Sequence, residues 1–264
     1  MKTVNLLNVS IDNFSITELF EKLDSEGGVV FTPNVDHLVK LQYDRDFYEA
    51  YKHSTYRVCD SQILMYASKF LGTPLQEKIS GSDLFPAFYT YHRDNEDIKI
   101  FLLGAAEGVA SKAQETINKK MNREIVIEAY SPSYGFEKNE KECEKIFDLI
   151  NKSGATVLAI GVGSPKQENW LAKYKNRMPN IKVFLAIGAT IDFEAGVKAR
   201  APKWMSEVGI EWGYRLLSEP KRLWKRYLVD GMPFFRLIVE QKLGFYKMPV
   251  LDSETRNLEW EGGS

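Results

Sequence analysis

Cysteine is scarce in this chain of 264 residues: Cys59 and Cys143 are the two present, far apart and with no C-x-x-C pair. No disulfide framework follows from them, and the usage suits a reducing cytosol. Histidine is nearly as rare, and the three at positions 37, 53 and 92 have no metal-ligand spacing. Net charge is almost absent, at −1, which argues against a general nucleic-acid binder. No uncharged apolar run approaches the ~18 residues that span a bilayer. The opening MKTVNLLNVSIDNF has neither the apolar core nor the small-residue cleavage site of a signal peptide. Internal repeats and low-complexity tracts are also missing. A chain with these absences is expected to lie on a membrane at most, and not to cross one.

What is present is an ordinary globular composition, 44% hydrophobic and 27% charged, enough to build a sizeable core. Short β-branched runs alternate with helical patterns. GGVVFTPN is a strand running into a Pro-Asn turn. DIKIFLLGAAEGVASKAQETINKK is strand, glycine turn and amphipathic helix. GATVLAIGVGSPKQENWLAKYKN repeats that order, and IKVFLAIGATIDF gives another buried-type strand, read here as ending at Asp192. This predicts an α/β fold, a Rossmann-like, mostly parallel sheet flanked by helices. Ligands of such sheets sit at the carboxyl ends of the strands, and Thr32, Asn34, Asp60, Gly104, Gly163 to Gln167 and Asp192 fall there.

After about residue 195 the strands stop. Residues 1–195 are read as the α/β core, 196–247 as a basic, aromatic-rich helical appendage, and 248–264 as a loose tail. Residues 197–247 hold 11 Lys/Arg against 5 Asp/Glu. The rest of the chain is acidic, so the appendage should meet something anionic. In SEPKRLWKRYLVDG, Pro220 suits a helix start and Asp230-Gly231 a stop. Leu223, Trp224, Tyr227 and Leu228 share one face, opposite Lys221, Arg222, Lys225 and Arg226. Such a helix suits an anionic membrane interface or a diphosphate. An exposed apolar appendage also leaves lipid, a second subunit or the protein's own core as what it meets.

Each candidate site has a plainer reading beside it. In AIGVGSPKQE, the glycines allow close backbone approach to a ligand and the following helix offers free N–H groups to a phosphate; the plainer reading is a tight strand-to-helix turn. It is no dinucleotide fingerprint, because Lys166 stands where the third glycine belongs. Thr32 and Asn34 could grip a hydroxyl-rich ligand or cap the helix after them. Asp60 taken alone reads as a helix cap. Asp44-Arg45-Asp46 has the look of a metal-diphosphate pair, but a solvated helix start fits its helical surroundings better. Lys78 could neutralise a phosphate or be a surface lysine, and Asp192 could be a buried acid or a loop cap. His37 could be a ligand or a base, but a lone helix histidine is more often packed or solvated.

The order FTPNVDHLVKL, Asp60, EKISGSDL, GVGSPKQE, GATIDFEAG and RAPKWMSEVGIEWGYRLLSEPKRLWKRYL resembles the WecG/TagA/CpsF family of bacterial glycosyltransferases, over roughly residues 5 to 245. The resemblance implies inverting transfer of a hexose-type sugar (N-acetylmannosamine, its uronic acid or glucose) from a UDP-sugar. The acceptor it implies is a polyprenyl-diphosphate-linked sugar at the cytoplasmic face of the membrane, for teichoic-acid or other surface polysaccharide synthesis. It implies no metal or other cofactor, and an appendage that completes the active site. It places the catalytic acid on Asp60 and the pocket around it on Thr32 and Asn34. It places the nucleotide side on the Gly163 to Pro165 loop, Gln167 and Glu168. Lys78 stands where an arginine is frequent, and Cys59-Asp60-Ser61 replaces the usual Pro-Asp-Gly; both changes bear on the donor sugar. Without a metal, Arg215, Arg222 and Arg226 are the cations expected to stabilise the leaving diphosphate. Two alternatives stay open: a nucleotide-dependent Rossmann enzyme of another class, and a non-catalytic membrane-associated scaffold.

Overall fold

The computed structural model describes residues 3–202, 205, 208, 211–218, 220–225 and 229–249. An antiparallel hairpin opens the chain, β1 (Thr3–Leu6) with β2 (Val9–Asp12). Six further strands follow: β3 (Gly28–Phe31), β4 (Tyr56–Arg57), β5 (Ile100–Gly104), β6 (Val126–Tyr130), β7 (Val157–Gly161) and β8 (Val183–Ala186). They form one sheet, in the order β4-β3-β8-β7-β5-β6, and every pairing in it is parallel. The fold is therefore the expected Rossmann-like α/β arrangement, with the antiparallel pairing confined to the separate hairpin.

The strand sequences explain why both faces are covered. Alternate side chains point to opposite faces of a strand. Phe101, Leu103, Leu158, Ile160, Phe184 and Ala186 enter one core. Ile100, Leu102, Val157, Ala159, Val183 and Leu185 enter the other. Apolar residues at every position thus mark strands sandwiched between two helical layers.

The helices begin where the sequence supplies caps. Ser15 and Glu18 form a capping box on α1 (Ile16–Glu26). Asn34 caps α2 (Val35–Lys40), and Asp44 caps α3 (Arg45–Lys52) by accepting from the Phe47 N–H. The Asp44–Asp46 pair is thus a helix start, as its surroundings indicated. α4 (Gln62–Leu71) is capped by Ser61, whose Oγ accepts from the Ile63 N–H. Asp60 is not the cap, since it lies one residue before the position from which a side chain reaches the first free N–H groups. α5 (Gly81–Tyr91), α6 (Val109–Met121), α7 (Glu140–Ser153) and α8 (Lys166–Tyr174) complete the layers. A further correction concerns the last strand. β8 stops at Ala186, because Gly188 turns the chain with φ +54°, and Asp192 sits in the short helix α9 (Thr190–Glu194) instead of at a strand end.

The C-terminal segment carries α10 (Glu211–Ser218), α11 (Pro220–Lys225) and α12 (Met232–Lys242). Pro220 opens α11, as its fixed φ favours. α12 packs on α2 and α4. Phe234 and Ile238 enter the same core as Phe31 and Leu38. Gln241 fastens the helix to the hairpin, accepting from the Leu7 N–H at 2.8 Å and donating to the Asn5 carbonyl at 3.0 Å. Tyr246 reaches Gln42 at 2.8 Å. The opposite side of α12 leaves Phe235, Val239 and Leu243 exposed. No helix among the described residues is long and apolar enough to cross a membrane.

Candidate active site

The strand order itself locates a crevice. From β5 the chain moves outward to β6, and from β7 it moves the other way to β8. The loops leaving β5 and β7 therefore diverge, and a cleft opens between them at the carboxyl edge, the usual ligand position in open α/β sheets. A cavity of about 240 Å³ lies there. Its floor is the glycine-rich strand ends. A Cβ on Gly104 would strike the Gly161 carbonyl, and one on Gly161 would strike the Gly188 carbonyl and come within 2.9 Å of Ile191 Cδ1. Neither position has room for a side chain, which lets the backbones of β5, β7 and the Gly188 turn approach one another closely beneath the cavity.

The walls come from three loops. Gly161 to Gly163 leads into α8, Gly188 and Ala189 lead into α9, and Pro132 to Glu137 follow β6. Two lysines line the cavity. Lys166 Nζ lies 4.4 Å from the Tyr134 ring centroid and 3.7 Å from Glu137. Lys198 Nζ lies 3.4 Å from Asp192. Tyr134 itself is 98% exposed at this wall, an unusual position for a large ring. The two lysines are cations that can bind an anion such as a phosphate, in competition with Glu137 and Asp192, which line the same cavity.

The second part of the site lies on the same edge, toward β4. Val58 N–H bonds the Phe31 carbonyl and Asp60 N–H bonds the Pro33 carbonyl at 2.9 Å, so the ladder between β3 and β4 continues past the strands. Asp60 is held this way beside Thr32 and Asn34. On its other side, Ile79 N–H bonds the Cys59 carbonyl at 2.7 Å and brings Lys78 alongside. Burial, with the Asp60 carboxylate adding to it, pushes the Cys59 thiol up to about 12, so it stays protonated and unreactive. Asn34 Oδ1 accepts from the His37 N–H at 3.2 Å, which commits its carbonyl to capping and leaves its amide donors. His37 is buried, packs on Phe47 and Tyr51, and has Nδ1 2.6 Å from the Tyr51 hydroxyl. Burial raises the Tyr51 hydroxyl well above its ordinary range, and the nearby Glu168 and Asp60 charges add to this.

Of the residues singled out in the sequence, Gly163 and Asp192 line the cavity, whereas Gly104 is buried beneath it against the Gly161 backbone, next to the lining residue Ala105. Pro165 stands at the N-cap position of α8. Gln167 and Glu168 are buried behind the wall, 4% and 0% exposed. Asp60, Thr32, Asn34 and Lys78 gather near β3 and β4, away from that cavity. Arg215 and Arg222 fall on α10 and α11, but their side chains, and Arg226 altogether, lie outside the described residues, as do residues 250–264. Among the described residues no three His, Cys, Asp or Glu side chains cluster as metal ligands. Lys166 lies within the Gly163 to Gln167 stretch already placed at the strand ends, but sequence reasoning missed Lys198, Tyr134 and the whole 132–137 loop. The signal was there: SPSYG is a Pro/Ser/Gly turn cluster directly after the apolar run that forms β6.

A parallel α/β sheet with a crevice at its switch point and a carboxylate further along the same edge defines a Rossmann-like protein with its candidate site at the carboxyl edge of the sheet. Residues 4–248 match the Glycosyl transferase WecG/TagA/CpsF family, and the chain belongs to that family of glycosyltransferases. The N-acetylglucosaminyldiphosphoundecaprenol N-acetyl-beta-D-mannosaminyltransferase of Bacillus subtilis (strain 168) is 26% identical over 262 residues, covering 96% of this chain and 98% of that protein. The protein of the same name from Bacillus spizizenii is 32% identical over 165 residues, 62% of this chain and 61% of its own. That of Staphylococcus aureus (strain MRSA252) is 26% identical, covering 88% of this chain and 90% of its own. Membership displaces the reading as a nucleotide-dependent enzyme of another class.

Proposed function

We propose that this glycosyltransferase moves a hexose-type sugar, N-acetylmannosamine first in line, from a UDP-sugar to a polyprenyl-diphosphate-linked N-acetylglucosamine, with inversion and without a metal. The observation that carries this reading is the placement of the β5/β7 crevice and Asp60 on one edge of one sheet, in a chain of this family. From β4 to β7 is three strand spacings, ~14 Å at ~4.8 Å each. A nucleotide diphosphate seated in the crevice can therefore extend its sugar along the edge toward Asp60. The three relatives' shared name supports N-acetylmannosamine and the lipid-diphosphate acceptor.

In this mechanism Asp60 takes the proton of the acceptor hydroxyl as that oxygen attacks the anomeric carbon, from the side opposite the leaving diphosphate. Lys166 and Lys198 neutralise charge on the departing UDP, with Arg215, Arg222 and Arg226 of the C-terminal segment as additional cations. Thr32 and the amide of Asn34 orient sugar hydroxyls beside Asp60, and Lys78, brought close by the Ile79 to Cys59 backbone bond, adds positive charge to this end of the site. The apolar, unpaired side of α12 suits the protein to the inner face of the cell membrane, where the lipid acceptor would be found. The test is UDP release from a panel of UDP-sugars with a polyprenyl-diphosphate-N-acetylglucosamine acceptor, with the anomeric configuration of the product read by NMR. Turnover with UDP-N-acetylmannosamine and inversion are expected. No turnover with any UDP-sugar in the presence of this acceptor would sink the reading.

A further inference from the structure

A fully buried carboxyl group costs stability unless its bonding returns something. Glu168 is such a group: none of its surface is exposed, and the groups beside its carboxyl are the Gln167 amide, its own backbone N–H and the Ser164 hydroxyl. It cannot touch a substrate. Its Oε1 accepts from Gln167 Nε2 at 2.9 Å. Gln167 Oε1 in turn accepts from the Gly188 N–H at 3.2 Å. This chain has only one sense. A backbone N–H can only donate, so the amide oxygen must face Gly188 and the amide nitrogen must face the carboxyl group. The Gln167 backbone adds a second tie, its N–H bonding the Gly163 carbonyl at 3.1 Å. Gln167 therefore bridges two walls of the cavity, Gly163 on one side and Gly188 on the other, and Glu168 fixes the orientation of the bridging amide.

We infer that Glu168 is a positioning residue that acts through Gln167 to hold the Gly188 wall of the cavity at the spacing the donor nucleotide needs. The inference rests on the donor occupying that cavity. Its geometric part, the brace itself, does not. Truncating the carboxyl group frees the Gln167 amide to rotate. Gly188 then loses its acceptor and the wall relaxes, although no group that contacts the ligand has changed. Gln at position 168 still offers an oxygen to Gln167 Nε2, so Glu168→Gln preserves the brace and Glu168→Met removes it.

The experiment compares wild type, Glu168→Gln and Glu168→Met as full chains, by UDP calorimetry and by amide hydrogen exchange of the peptide containing Gly188. Glu168→Met is expected to weaken UDP binding about 10-fold, the scale of one lost buried hydrogen bond, to raise the donor KM more than it lowers kcat, and to speed exchange at Gly188. Glu168→Gln is expected to stay within about 3-fold of wild type with Gly188 still protected. Equal UDP affinity and equal Gly188 protection in Glu168→Met would overturn the inference, as would a Gln variant as impaired as the Met one. Should Glu168→Met fail to fold, Gln167→Met removes the same link from its other end and carries the same expectations. Failure of wild type to bind UDP would instead refute the donor reading of the cavity, while exchange at Gly188 still decides the brace.

Discussion

The most direct physical consequence of a buried Glu168 is a pH-dependent stability that a single substitution abolishes. Burial pushes its carboxyl group up to about 7, although the Gln167 and Ser164 side chains favour the charged form and Lys40 adds a weak attraction. In the unfolded chain the same group ionises near its ordinary 4.5. Between those two values the folded protein holds a proton that the unfolded chain has released. Stability from this residue is therefore full below about pH 4.5, falls as pH rises through about 7, and then levels. At about 1.4 kcal/mol per tenfold change in proton concentration, the loss amounts to about 3 kcal/mol. Glu168→Gln has the shape of the protonated acid and does not titrate. Urea unfolding of both proteins at pH 5, 6, 7 and 8, followed by tryptophan fluorescence, should show the variant gaining on wild type steadily across the series. The gain should approach about 3 kcal/mol and stop growing near the upper end. Curves that stay parallel within about 0.5 kcal/mol from pH 5 to 8 would mean that Glu168 ionises normally, and the buried-acid argument would fail with them.

Asp60→Asn should lower transfer by ~10²-fold or more, the scale of a lost general base; ordinary turnover by a folded variant would take Asp60 out of the chemistry. Gly161→Ala should destabilise by about 1–3 kcal/mol and abolish UDP binding, because the added methyl meets the Gly188 carbonyl and Ile191; paired melts and calorimetry check both effects. Phe234→Ala should cost about 3–5 kcal/mol, because that ring is fully buried in the core beside α2 and α4. Differential scanning calorimetry measures it, and an unchanged melting temperature would show that α12 is not packed on the body in solution.

The sequence made the sheet legible because its strands are buried on both faces and so read as unbroken apolar runs. It concealed the hairpin, whose TVNL and VSID segments are four residues each and half polar. It also misplaced the end of β8. Apolar character continues through Ile187 and resumes at Ile191, and only the positive φ of Gly188 separates strand from helix. The site divides in the same way. Residues carried on strand ends (Thr32, Asp60, Gly104, Gly163) were visible, because strand periodicity stops just before them. Tyr134 and Lys198 were not: the loop that carries Tyr134 acquires meaning only from β6, which had not been recognised, and Lys198 lies in the turn after α9, which was read as the end of a strand. Glu168 shows the opposite limit. Its place in GVGSPKQE marked it for the substrate, yet the fold turns it inward, one residue after Gln167, where no substrate reaches. A helix beginning at Lys166 must send its third residue toward the core if its first is to face the cavity, since successive positions differ by about 100°. Motif membership located the residue to within one turn of helix, and the phase of that helix then decided whether it grips the ligand or braces the wall that does.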